Sequence, residues 1–115
     1  MLQGEKTGSI IEKNKTNAPN GGNYRRLFIK EFPNFPLQDQ VHHTLPQKYE
    51  KTMKDCRINI HENRYLRGVE RLNHNEVTNA WKNWDKSLGH AATAEEVIEF
   101  AKRIDEQFGK YWHKE

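Results

Sequence analysis

The chain has 115 residues, only 34% of them hydrophobic, and its three Trp, five Phe and four Tyr supply the bulk for one small core, so a single domain is expected. The one cysteine, Cys56, excludes an internal disulfide framework and a cysteine-based zinc site, which leaves His, Asn, Asp, Glu and water as candidate metal ligands. Net charge is +3 but uneven: residues 1–67 carry twelve Lys and Arg against seven Asp and Glu, a net of +5, whereas residues 68–115 carry seven against nine, a net of −2.

Residues 1–23 are polar and turn-rich, ending in Asn17-Ala18-Pro19-Asn20-Gly21-Gly22-Asn23, and read as a linker or loosely attached arm ahead of a domain at 24–115. The polar start is not that of a signal peptide, and no apolar run approaches a membrane span, so a soluble chain without a membrane partner is expected. Tyr24 to Ile29 suits a short strand, and Pro33 and Pro36 impose an extended, irregular stretch. Gln40 to Leu45 reads as a strand. Gln47 to Cys56 has helix-forming composition with few apolar residues, which suggests a short surface helix. In Arg57-Ile58-Asn59-Ile60-His61 the strict alternation predicts a second strand that buries Ile58 and Ile60.

The last half is helical. Val77, Ala80, Trp81, Trp84 and Leu88 share one face of a helix that starts near Val69 and stops at Gly89. Thr93-Ala94-Glu95-Glu96 is a capping box opening a further helix, whose stripe of Val97, Ile98, Ala101, Ile104, Phe108 and Tyr111 belongs to the core. The fold class expected is α+β.

The most informative feature is the pair His42-His43. Adjacent residues of an extended strand point to opposite faces, so one imidazole can hold a metal while the other faces a substrate. A strand, a second strand and then a helix opening near His74 would let a strand histidine and a helix histidine converge on one ion. Adjacent histidines also arise by chance, and a lone histidine on a helix is more often a satisfied surface or core residue. The excess of positive charge in the half that carries the pair would attract a polyanion, although a modest lysine excess is by itself more often an ordinary solvated surface.

The ordered series His42-His43-x-Leu45-Pro46-Gln47, Ile58-Asn59-Ile60-His61-Glu62, His74, Trp81-x-x-Trp84 and Ala94-Glu95-Glu96-Val97 resembles the His-His toxin domains of the HNH/endonuclease VII superfamily, over about residues 40 to 113. In such polymorphic toxins the nuclease forms the C-terminal tail of a large secreted protein, often of the Rhs type, and acts in the cytoplasm of a target cell. The resemblance implies a small ββα-metal finger with additional C-terminal helices, holding one divalent ion, magnesium or zinc. It makes His42 and His74 metal ligands and His43 the general base that activates water. It also offers Asn63 as the asparagine tethering the loop that holds the base, although an ordinary turn asparagine fits there as well. His61 matches a family histidine whose role is either supporting another ligand or binding phosphate. Where many members carry a second helix histidine, position 78 is threonine, so Asn79 or water would complete the metal sphere. Arg57, Arg64 and Arg67 flank the site as candidate phosphate clamps. The implied activity is metal-dependent hydrolysis of phosphodiesters, DNA favoured over RNA, by a monomeric domain with a cognate immunity protein as partner. The alternative from another class is a non-catalytic helical binding module in which the histidines and Trp81, Trp84 and Trp112 serve packing.

Overall fold

The computed structural model describes residues 18–113. Among these the architecture is mixed α and β: four helices and a two-stranded antiparallel sheet, with short 3₁₀ turns between them. In chain order they are α1 (Tyr24–Glu31), β1 (Gln40–His43), α2 (Glu50–Asp55), β2 (Leu66–Val69), α3 (Arg71–Leu88) and α4 (Ala94–Phe108). Among the described residues no helix is long and apolar enough to cross a membrane.

Two elements differ from the sequence reading. Tyr24 to Ile29 is helical, because Tyr24, Phe28 and Phe32 recur at the four-residue spacing of one helix face and Phe28 is buried there against Phe35, Val41 and Leu66. The segment 57–61 is not a strand, and the second strand lies later, at Leu66–Val69. Main-chain bonding explains the difference. Helix α2 ends in a Schellman-type turn in which the Ile58 N–H donates to the Met53 carbonyl (3.0 Å) and the Arg57 N–H to the Lys54 carbonyl (2.8 Å). Arg57 occupies the left-handed position of that turn, at φ 63°. Two residues on, the Asn59 side chain accepts from the His61 N–H at 2.9 Å, a local turn that competes with strand pairing. Ile60 is nevertheless fully buried.

The other expected elements are present. The region 47–56 forms a 3₁₀ turn and α2, α3 begins at Arg71 and stops at Gly89 (φ 74°), and the Thr93 and Glu96 capping box is made in both directions. Of the arm expected at 1–23, residues 1–17 lie outside the described residues. Residues 18–23 form a turn in which the Asn20 side chain accepts from the N–H groups of Gly22 and Asn23. The Pro19 carbonyl accepts from Asn59 at 2.9 Å, which docks this turn on the loop after α2.

Register determines what each face of the sheet sees. Gln40 pairs with Val69, Val41 with Gly68, His42 with Arg67 and His43 with Leu66. Alternation then places Val41, His43, Leu66 and Gly68 on the side of α1, and His42 and Val69 on the side of α3. Gly68 is required by close approach, since a Cβ there would lie 2.6 Å from Cε1 of the buried Phe35. The larger core joins Met53, Ile60, Val77, Trp81, Val97, Ala101, Ile104 and Phe108, so α2 and α4 brace α3, the helix that carries His74.

Candidate active site

The sequence of elements β1, β2, α3 brings His42 and His74 together. Val69 ends β2, and the first turn of α3 closes with the His74 N–H donating to the Glu70 carbonyl at 2.9 Å. This carries the His74 imidazole back over the α3 face of the sheet, where its ring centroid lies 5.4 Å from that of His42. On its other side His42 stacks on Trp112 at 5.0 Å. His42 is 4% exposed, and its Nε2 is buried without a hydrogen-bond partner among the described residues. Such an atom is costly to leave unpaired, so a ligand that uses its lone pair would relieve it.

His43 points the opposite way. It packs edge-on against Tyr24 of α1 at 4.5 Å, and its Nε2 lies 2.9 Å from Nδ1 of His61. His61, 2% exposed, stacks on Tyr24 and places its Nε2 3.0 Å from Oε2 of Glu50. A cleft of about 310 Å³ along β1 is lined by Tyr24, His42, His43, Gln47, His74 and Thr78 among others, so both histidines of the pair line one opening.

All three cleft imidazoles are held neutral. Burial lowers His42 most, to about 3, with His74, His43 and Arg67 adding repulsion. Burial and then His61 lower His43 to about 4, partly offset by Glu50. Burial also lowers His74. Neutral imidazole is the form that binds a metal or accepts a proton.

The remaining candidates are placed as follows. Thr78, one helical turn after His74, lines the cleft; Asn79 is exposed and rotated by about 140° from His74 around the helix axis, away from that face. Asn63 sits half-buried in the turn before β2, lining separate cavities with Arg64 and with Arg67. Another asparagine, Asn59, bonds the segment that carries His61, donating to the Pro19 carbonyl and accepting from the His61 N–H. Arg64 is paired with Glu62 at 2.8 Å, and Arg67, opposite His42, donates through Nη1 to the carbonyls of Arg64 and Leu66. Exposed Arg57 lines a cavity of about 300 Å³ with Lys54, Glu50 and His61. The sequence reading missed Tyr24, Glu50 and Asn59; the four-residue aromatic spacing in 24–32 was the one signal for the first, and the other two depend on long-range packing.

Two histidines suit a borderline divalent cation, and Thr78 adds an oxygen donor to the same cleft. Among the described residues no group of three or more His, Cys, Asp or Glu converges, so a metal held here would keep most of its sphere for water and substrate oxygens. No protein-family model, curated protein or solved structure matches the chain.

Proposed function

We propose that this chain is a metal-dependent nuclease that hydrolyses phosphodiester bonds, with DNA the favoured substrate, and that it serves as the toxin domain of a larger delivered protein. The observation that carries the reading is the buried, unpartnered Nε2 of His42 beside His74, in a cleft that His43 also lines. The resemblance to ββα-metal finger nucleases gives the same three histidines their roles, and the order of strand, strand and helix supports it.

His42 and His74 would hold the ion, with Thr78 and water beside them. A divalent ion bound there would supply Lewis-acid polarisation of the scissile phosphate and stabilise the leaving oxygen. His43, neutral at pH 7, accepts the proton of the attacking water, which is what a general base must do in this reaction. Tyr24 fixes the His43 ring plane, and β1 fixes its backbone. Arg57 and Lys54 offer positive charge to the phosphate chain beside His61 and Glu50. An acidic immunity protein is the partner this basic half would attract in the producing cell.

The test is plasmid degradation by the purified chain with added Mg²⁺ or Zn²⁺ and with chelator, run in parallel on single-stranded RNA. Cleavage of DNA that stops with chelator is the expected result. Cleavage of RNA alone would reassign the substrate, and no cleavage of either with any divalent ion would refute the enzyme reading in favour of a binding module.

A further inference from the structure

We infer that Glu50 and His61 are positioning residues that hold His43 in one tautomer, with hydrogen on Nε2 and the lone pair on Nδ1, so that Nδ1 is the atom that takes a proton. The base role of His43 rests on the proposed function; the hydrogen arrangement does not.

The argument starts from the end of the chain of contacts. An ionised carboxylate only accepts, so the 3.0 Å contact between Glu50 Oε2 and His61 Nε2 requires hydrogen on that nitrogen. A neutral imidazole carries one N–H, which leaves a lone pair on His61 Nδ1. That lone pair lies 2.9 Å from His43 Nε2, so His43 must present its own hydrogen there. Nδ1 of His43 is then bare. The opposite order would set lone pair against lone pair at the carboxylate.

Tyr24 keeps both rings from turning out of this line, being edge-on to His43 at 4.5 Å and stacked on His61 at 5.6 Å. Asn59 holds the main chain of His61. Once His43 Nδ1 has gained its proton, the positive ring is stabilised by an N–H donated to His61, whose own N–H points at the Glu50 negative charge. No proton has to move along the chain. The logic is that of a carboxylate orienting a catalytic imidazole, extended by one intervening ring. A doubly protonated His61 would reverse the order and place hydrogen on His43 Nδ1.

Long-range ¹H–¹⁵N spectra of the metal-free chain, labelled on histidine, read these hydrogens directly. Both His43 and His61 should appear as Nε2–H tautomers at neutral pH. Glu50, with a half-exposed side chain, can be removed without opening the core. Glu50→Ala leaves the buried His61 N–H without its carboxylate, so it should lower the melting temperature while the chain stays folded at the assay temperature, mix the tautomers of His43 and lower kcat by about 10–100-fold at unchanged KM, as loss of an orienting partner does elsewhere. Glu50→Asp should restore part of both signals. Nδ1–H on His43 in the parent chain, or unchanged tautomers and kcat in Glu50→Ala, would overturn the inference while leaving the nuclease reading intact. A parent chain that shows the expected tautomers but cleaves nothing would overturn the nuclease reading and support the hydrogen arrangement.

Discussion

Lowering the pH from 8 to 5 should destabilise the metal-free chain, and the site itself is the cause. In the unfolded chain His42 and His43 titrate near 6.5, whereas in the fold they stay neutral down to about 3 and about 4. Below pH 6.5 the unfolded state therefore binds two protons that the folded state refuses, and stability falls as pH falls. The stabilisation is complete above the unfolded value and is lost progressively toward the folded ones. Each group steepens the fall by about 1.4 kcal/mol per pH unit, so at pH 5 the pair together should remove about 4 kcal/mol relative to pH 8. His74, also lowered, acts in the same direction. A loss of that size is a large fraction of the roughly 5–15 kcal/mol that holds a domain together. Urea unfolding at pH 8 and pH 5 in the presence of chelator measures it, and His43→Asn should flatten the slope by about half. Equal stability at the two pH values would refute the premise that these imidazoles are buried and neutral.

Four further outcomes follow from named contacts. His43→Ala should lower cleavage by ~10²–10⁴-fold while leaving metal affinity measured by titration calorimetry near that of the parent, because His43 lies on the opposite face of the sheet from His42 and His74. A divalent ion at about 100 times its Kd should stabilise the parent chain by about 2.7 kcal/mol in thermal melts, and His42→Ala or His74→Ala should abolish that gain. Gly68→Ala should cost about 1–3 kcal/mol in urea unfolding, since its Cβ would meet the buried Phe35 ring at 2.6 Å and a packed aromatic cannot yield. Arg57→Gly should stabilise the chain by about 1 kcal/mol, because glycine accepts the left-handed backbone at φ 63° without strain, and should at the same time weaken binding to a short DNA duplex at low salt. Stabilisation without any change in DNA affinity would remove Arg57 from the phosphate contacts.

What could be read from the sequence was whatever short-range rules determine. The stripe of α3, its glycine stop and the capping box of α4 are all fixed by neighbours three or four residues apart, and each is found where the pattern put it. The opposite orientation of His42 and His43 follows from strand alternation alone. The failures share a cause in competing local bonds. Ile58-Asn59-Ile60 alternates like a strand, yet the Asn59 side chain and the left-handed Arg57 capture the backbone groups a strand would need. Leu66-Arg67-Gly68-Val69 carries a glycine that weakens its strand signal, and the reason for that glycine is Phe35, more than thirty residues away. Glu50 reads as an ordinary surface residue of a short helix until folding sets it against His61.

The displaced second strand has a consequence for the chemistry. With pairing at 66–69 instead of 57–61, the segment that carries His61 is released from the ladder and can fold over the α1 side of the sheet, the side that His43 of the pair faces. Were His61 part of a strand beside β1, its ring would be committed to a fixed cross-strand neighbour and could not lie in line between His43 and Glu50. The same release leaves His42 and Val69 to meet α3 directly, so the metal-ligand candidates and the proton-accepting candidate are separated by the thickness of one strand. Each can then be tuned by different neighbours, Trp112 and His74 on one face, Tyr24, His61 and Glu50 on the other. Two adjacent residues of identical type thus acquire different environments without any difference in their own sequence context, because a two-residue period divides them between two packed layers.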